Sequence, residues 1–438
     1  MSKSTRQMHL AVFVVGTGNH SAGWRVDGAF DSNCAWPALE SIAQTAERGK
    51  FDLFFVSDGL TADADDQPSF VSRFEPTTLL GAISRETTHV GLGATVSTSF
   101  SEPFHVARTF ASLDHLSNGR AAWNVVTTTN EKAALNFGKD PIPHDQRYEI
   151  AGEFVDVVRG LWDCWDDGAI VANRKTGEYV DSTKFRRLNH QGRFFSVRGP
   201  VNIQRSPQGQ PVIIHAGGSP PGQALAARIA DVVFTVVTEP NSAKHSYDEL
   251  KVRVHKQGRD PDDVKVLSGV MPIVGRTDVE AKAQLDKLQS WLTDTSATRL
   301  VSQRLGHDIS GLPLDGPVPD FPPTERGQTF SKALLDMARR EKMTLRDLYN
   351  IIAAAHGHWV IYGTAQKIAD TLEEWFVERR TDGYIVMPPY FPGAFDDFVD
   401  LVVPELQKRG IFRKDYTGTT LLDHLGIKRP PRLTLAAE

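Results

Sequence analysis

His144 and Tyr148 stand four residues apart. That spacing puts an imidazole and a phenol on one helix face, where both can meet one ligand. Asp145 can cap that helix, and Glu149 suits its first turn. A second cluster is Gly217-Gly218-Ser219, ahead of a helix expected near Pro220. Small residues let a backbone approach a phosphate. A helix N-terminus supplies unpaired N–H groups and a positive dipole end, and the Ser219 hydroxyl adds another donor. Single polar residues then close or follow apolar runs at Asp58, Thr95, Asn124, Thr127 and His215. His20 sits on a glycine-flanked segment, with an imidazole that titrates near neutrality when unperturbed.

Other chemistries are poorly served. The chain has no Gly-x-Gly-x-x-Gly after a strand, no His-Glu-x-x-His and no Cys-x-x-Cys. Gly217 to Gly222 has Walker spacing, but Gln223 follows where lysine is required, so a P-loop reading fails. The fourteen histidines do not fall into ligand spacing. His356 and His358 are two apart and would not face the same way on a helix. No metal site is expected.

The elements that must position these residues alternate. Apolar runs at 9–15, 51–56, 90–96, 121–126, 211–216, 231–237, 264–274 and 383–387 read as strands, separated by helices such as 36–49, 76–86 and 364–380. Alternation of this kind predicts a parallel α/β fold. Val106, Phe110, Leu113 and Leu116 recur at helical spacing, and Asn118-Gly119 ends that helix because both tolerate the left-handed conformation. Residues 121–126 form an apolar run covered on both faces that turns polar at Thr127 to Asn130, which is how a (β/α)8 TIM barrel presents a site. Polar residues at successive strand ends therefore converge on one mouth.

The organisation expected is one barrel over 1–427 with two insertions: a β-hairpin extension at about 168–207 and a helical lid at about 278–358. The proline-rich linker 311–323 cannot be regular helix or central strand. Residues 428–438 read as a peripheral tail.

Of 438 residues, 40% are hydrophobic and 24% charged, with net charge −5, so a large core is available and non-specific nucleic-acid binding is disfavoured. Cys34 and Cys164 are too few for a disulfide framework and fit a reducing cytoplasm. No apolar run is long enough to span a membrane, and the run Leu10 to Val15 is short for a signal peptide.

The block Leu113-Asp-His-Leu-Ser-Asn-Gly-Arg120, followed by Trp123-Asn-Val-Val-Thr127, resembles the bacterial-luciferase-like flavin monooxygenases. More narrowly it is similar to the branch with nitrilotriacetate, EDTA and dibenzothiophene-sulfone monooxygenases, over about 8–427. The resemblance implies a luciferase-like barrel binding reduced FMN, supplied in trans by a separate NAD(P)H:flavin reductase. Dioxygen would then oxidise a small organic substrate with C–S or C–N cleavage. It implies a cytoplasmic homo-oligomer, dimer or tetramer, with no nucleic-acid or membrane partner. Carried over, it makes Asp58, Thr95, Asn124, Thr127, His144, Tyr148, Gly218 and Ser219 flavin contacts, and it alone places a phosphate site after the fifth strand. Relatives often carry Gln where His215 stands. His20 and His307 resemble positions near substrate in the sulfone-oxidising relatives and are the catalytic candidates; Phe55 and Trp359 are the substrate-binding ones. The two aromatics favour an aromatic or sulfur-containing substrate, whereas a polycarboxylate would want arginines. Two other readings stay open: a deazaflavin-dependent hydride-transfer enzyme and an inert flavin-binding protein. The Trp-Asn-Val-Val-Thr block and the long insertions argue against the first.

Overall fold

A computed structural model describes residues 6–64, 66–237, 239–322 and 328–432; residue 323 of the linker and 433–438 of the tail lie outside them. Eight strands are His9–Val14 (β1), Leu53–Val56 (β2), Gly91–Ser97 (β3), Ala121–Val126 (β4), Val212–His215 (β5), Val232–Thr235 (β6), Lys265–Val274 (β7) and Gly383–Val386 (β8). Each pairs in parallel with the next, and β8 pairs with both β7 and β1, which closes a (β/α)8 barrel.

Two cores follow from side-chain alternation along buried strands. On β4, Ala121, Trp123 and Val125 join the outer core between sheet and helices, while Ala122 joins the inner one with Leu53, Phe55, Ile214 and Leu267. Trp123 packs 5.8 Å from both Phe110 and Phe154, and its indole N–H donates to the Val96 carbonyl.

The helix Pro103–Leu116 opens on a proline, whose missing N–H costs nothing in a first turn. It ends where Asn118 (φ 54°) and Gly119 (φ 87°) both turn left-handed. The adjoining block is structural. Buried Asp114 accepts from the backbone of Ala121 and from the backbone and side chain of Gln208. Buried Arg120 donates to the carbonyls of Ser84, Thr87, Val90 and Ser117. These two side chains lock the turn that starts β4.

The opposite end of the barrel, at the strand N-termini, is plugged. Leu421, Leu422 and Leu425 of the short helix Leu421–Leu425 join the inner core. Asp52 is fully buried there, accepting from the Leu10 backbone at 2.8 Å and pairing with His9 and Arg413. Arg413 also donates to the His424 carbonyl at 2.7 Å.

Three features need the structure. The hairpin, His190–Gln191 with Ser196–Val197, packs on the helix His144–Trp162: Glu153 accepts the Phe194 and Phe195 N–H groups, and Phe195 meets Phe154 edge-on at 5.5 Å. Only the first part of β7 belongs to the barrel. Its second part, Val270 to Val274, pairs with an outer strand, Trp359–Gly363, which sequence reading left unassigned because it adjoins the insertion. The closing helix contains a π-helical turn, Phe398–Val402, just ahead of Pro404, whose ring cannot donate to the preceding turn.

Residues 278–358 carry the helices Asp278–Ser290, Asp294–Leu305, Gln328–Glu341 and Leu345–Ala355. The last three pack a separate core that includes Leu300, Leu305, Leu334, Leu348 and Ile352. This unit is tied to the mouth: Ser21 donates its N–H to Ala353 at 2.9 Å, and Ala354 and Ala355 pack on Met271 and Met387.

Candidate active site at the barrel mouth

The strands end in a mouth floored by aromatic rings. Phe55, 3% exposed, meets Phe13 edge-on at 5.5 Å and Phe234 at 4.8 Å. Thr95 and Asn124 are register partners on β3 and β4, and the Asn124 amide donates to Thr95 Oγ1 at 2.9 Å. Asn124 Oδ1 is buried with no hydrogen-bond partner among the described residues. Burial without a bond costs about 1–3 kcal/mol, so this acceptor is set for something the chain does not supply. Thr127 is half-buried one residue past β4. Asp58, half-buried after β2, accepts from the Gly59 N–H, and burial raises its pKa against the opposing pull of Arg73.

A second group assembles around β5. The helix His144–Trp162 carries His144 and Tyr148 at its start, with ring centroids 5.2 Å apart. Ser219 caps the helix Pro220–Ile229, accepting from the Gly222 N–H and donating to the Tyr148 oxygen at 3.1 Å. That leaves the phenol proton for an outside acceptor. Gly217 and Gly222 pass too closely for side chains: a Cβ on Gly217 would fall 2.4 Å from His215 Nε2, and one on Gly222 would fall 3.1 Å from the Tyr148 oxygen. Gly218, between them in sequence, is exposed. One expectation needs correcting. Pro220 and Pro221 lack N–H groups, so this helix start offers fewer donors than its position implies. The polar groups beside this helix start are the Tyr148 hydroxyl, which receives the Ser219 proton, and the His144 imidazole. His215 is buried and held neutral; its Nδ1 donates to the Val125 carbonyl at 2.8 Å, and Nε2 points at Gly217.

His20 is 1% exposed, and burial drives its imidazole down to about 3. Its imidazole is therefore held neutral, where the sequence alone gives the unperturbed value near neutrality. Its Nδ1 accepts the Ala22 N–H at 3.1 Å, so the ring proton sits on Nε2, which has no hydrogen-bond partner among the described residues. His307 lies within the insertion, stacked 4.9 Å from Phe321 with Nε2 at 2.8 Å from the Pro322 carbonyl. Trp359 faces outward, stacked 4.1 Å from Trp375 in the outer core. The structure thus gathers Phe55, Thr95, Asn124 and His20 toward the mouth and His144, Tyr148 and Ser219 beside it, and turns Trp359 away.

Sequence reasoning missed His356 and His358. The helix Leu345–Ala355 stops one residue early for the spacing argument: His356 is left-handed (φ 54°), Gly357 follows, and His358 leads into the outer strand. His356 is buried and His358 half-buried, and desolvation lowers the pKa of both imidazoles. A groove of about 620 Å³ between Pro103–His105 and Phe194–Gly199 lies on the outer face and shares no residue with the mouth.

Among the described residues no group of histidine, cysteine and carboxylate side chains could hold a metal, and no helix is long and apolar enough to cross a membrane. Residues 8–382 match the luciferase-like monooxygenase family. N-acetyl-S-(2-succino)cysteine monooxygenase of Bacillus subtilis (strain 168) is 45% identical over 98% of this chain and 99% of that one. Nitrilotriacetate monooxygenase component A of Aminobacter aminovorans is 42% identical over 98% of each. The solved EDTA monooxygenase of Chelativorans sp. BNC1 superposes with a TM-score of 0.84 at 32% identity, covering 97% of this chain and 99% of that one. With the barrel, the strand-end site and these full-length relatives together, the chain belongs to the luciferase-like monooxygenase family and is a flavin-dependent monooxygenase.

Proposed function

We propose that this enzyme uses reduced FMN, delivered by a separate NAD(P)H:flavin reductase, and dioxygen to oxidise a small anionic compound next to its sulfur or nitrogen. The observation that carries the reading is the buried, unpartnered Asn124 Oδ1, fixed by Thr95, on the mouth that also carries the Tyr148–Ser219 hydroxyl pair. A flavin needs both features: a polar edge to register its ring and a hydroxyl-lined, side-chain-free approach for its phosphate. When bound, reduced FMN supplies the electrons and the oxygen chemistry; the protein positions, desolvates and orients.

The substrate class follows from two considerations. Of the two aromatics expected to favour an aromatic or sulfur-containing substrate, Trp359 packs on Trp375, which leaves Phe55 at the mouth. The relatives are named for N-acetyl-S-(2-succino)cysteine and nitrilotriacetate, both small polycarboxylates built on one sulfur or nitrogen. Oxidative cleavage of a C–S or C–N bond in such a compound is the reaction proposed, in the cytoplasm, where free Cys34 and Cys164 and an NAD(P)H-linked reductase are both at home.

The test is purified enzyme with a generic flavin reductase, NADH and FMN, assayed on N-acetyl-S-(2-succino)cysteine and on nitrilotriacetate. Substrate-dependent oxygen uptake with a cleaved product is expected. Oxygen returned wholly as hydrogen peroxide with both compounds, while FMN binds, would overturn it.

A further inference from the structure

A stack of three rings holds the C-terminal segment under the barrel. His89 lies between the helix Pro76–Glu86 and β3, Tyr416 follows the closing helix, and His424 belongs to the plug helix Leu421–Leu425. Ring centroids stand 4.9 Å apart for His89 and Tyr416, 4.8 Å for Tyr416 and His424, and 6.4 Å for His89 and His424. The Tyr416 phenol donates to the Phe51 carbonyl at 2.8 Å, which ties the middle ring to the residue before Asp52. Arg413 donates to the His424 carbonyl at 2.7 Å, pairs with Asp52, and has its guanidinium carbon 5.6 Å from the centre of the Tyr416 ring. The plug itself is no part of the sheet. Leu421 donates its N–H to Gly119 at 2.9 Å and Leu422 to Gln208 Oε1 at 3.2 Å, beside the inner-core contacts of its three leucines. It can leave without breaking any strand pairing, which is the condition for a local opening.

His424 is 3% exposed, and neither of its ring nitrogens has a hydrogen-bond partner among the described residues. A ring so placed is stable only while uncharged. Protonation would bury a cation with nothing to pair it, beside the guanidinium of Arg413. The other charged groups around it are already engaged. Glu47 accepts the N–H groups of Thr88, His89 and Val90, Asp423 accepts those of Thr419 and Thr420, and Lys50 pairs with Asp415. Asp52 is shared between Arg413 and His9, and Arg120 adds a further cation, bonded to the Val90 carbonyl. Burial and Arg413 accordingly drive the His424 imidazole down to about 4, against the pull of Asp52 and the Gly418 carbonyl.

We infer that the rings of His89, Tyr416 and His424 form a proton-released clasp: the plug helix stays on the barrel base while His424 is neutral and leaves it when His424 takes up a proton. The device is independent of the mouth and of the flavin reading. Its effect is carried by Gln208, whose side chain also donates to Asp114 and to the Ala121 carbonyl, so release of the plug frees one side of the turn that starts β4.

Amide hydrogen exchange on the full chain between pH 8 and pH 5 tests it, read as protection factors so that the intrinsic pH dependence of exchange cancels. A ring that titrates at 6.5 when released and at about 4 when clasped should raise the opening constant about thirtyfold over that range. The amides of Leu421, Leu422 and Ile427 should lose protection by that factor, while those of Phe54 and Asn124 in the sheet stay better protected at every pH. In His424→Gln the plug amides should change by less than about threefold, since the amide side chain takes up no proton. If that variant fails to fold, His424→Phe keeps a ring against Tyr416 without the titrating nitrogens and carries the same comparison. Plug amides exchanging in step with the sheet amides at each pH would show that the segment opens only with the whole barrel. Equal pH dependence in wild type and variant would show that another group takes the proton. Either result overturns the clasp.

Discussion

Asn124 donates its amide to Thr95 Oγ1 at 2.9 Å across the pairing of β3 with β4, and so commits its other side-chain atom, Oδ1, to the mouth. A free asparagine could present either end. Here the amide N–H is given to the Thr95 hydroxyl, which leaves Oδ1 without a hydrogen-bond partner among the described residues.

The first prediction follows. Asn124→Leu removes a buried carbonyl that the protein does not pair. Flavin-free enzyme should keep its melting temperature or gain slightly, while FMN affinity falls about tenfold or more, the loss of a hydrogen bond plus a mismatched polar edge. Thr95→Val should lose part of the same affinity by releasing the amide. Thermal melts paired with flavin titrations check both; a large loss of stability with unchanged flavin affinity would show that Asn124 only holds the strands together.

A second prediction concerns the glycine crossing beside β5. In Gly217→Ala the new methyl would meet His215 Nε2 at 2.4 Å and the Gly222 backbone at 2.8 Å, so the turn must open. Tyr148 and Ser219 then lose their spacing. FMN affinity should drop at least tenfold and riboflavin affinity, which lacks the phosphate, by much less. Comparing the two flavins on wild type and variant measures the phosphate share directly; equal losses would move the phosphate elsewhere.

How much of this was legible in sequence depends on what each residue's role requires. Strand identity needs only local pattern, and the run Ala121–Val126 carried it to the residue, since the Asn118-Gly119 turn before it and the polar Thr127 after it mark both ends; which residues face inward needed the structure. The nearness of His144 to Tyr148 was readable because positions four apart share a helix face, whereas the meeting of Tyr148 with Ser219 joins two helices through residues 71 positions apart and was not. The outer strand Trp359–Gly363 was hidden by its short length and by the insertion before it. The pair His356 and His358 was dismissed on helical spacing, which fails when the helix ends at Ala355 and His356 turns left-handed. The orientation of Trp359 depends on Trp375, a partner sixteen positions on that no local pattern names. His20 was given a titrating proton because burial is a property of the fold and not of the segment.

The floor of the barrel gives a third prediction. Burial works against the Asp52 carboxylate, but Arg413 and His9 outweigh it and hold its pKa below the ordinary 3.8. A carboxyl whose folded pKa is depressed stabilises above its unfolded pKa, and that share is lost as pH falls through the folded value. Asp52→Asn leaves Arg413 buried and uncompensated. The cost should be about 3–5 kcal/mol at neutral pH, as for other broken buried pairs. Chemical denaturation at pH 7 measures it; a loss under about 1 kcal/mol would mean the three groups relax apart without penalty. Double replacement, Asp52→Asn with Arg413→Met, should recover part of the loss.

The last prediction concerns acid. Burial drives His20 to about 3, and His358 and His424 to about 4, each from an ordinary 6.5. For a histidine with a depressed folded pKa, the unfolded chain takes up a proton below pH 6.5 and the folded chain does not. Stability is then highest above pH 6.5 and falls with acidification until the folded pKa is reached. One such residue costs about 2 kcal/mol by pH 5, an upper figure because the denatured state is not fully solvated. The enzyme should therefore lose stability steeply between pH 6.5 and 5, well above the range in which its carboxylates titrate. His20→Asn removes one share while keeping a side-chain N–H donor. Its denaturation free energy should fall less between pH 7 and pH 5 than that of wild type, by about 1–2 kcal/mol, and its activity should survive better than that of His20→Ala. Activity is expected to stay flat where a free imidazole would titrate, since His20 does not change charge there. Parallel pH slopes for wild type and His20→Asn would show that the ring is protonated in the folded enzyme, and would return His20 to the role of a proton carrier.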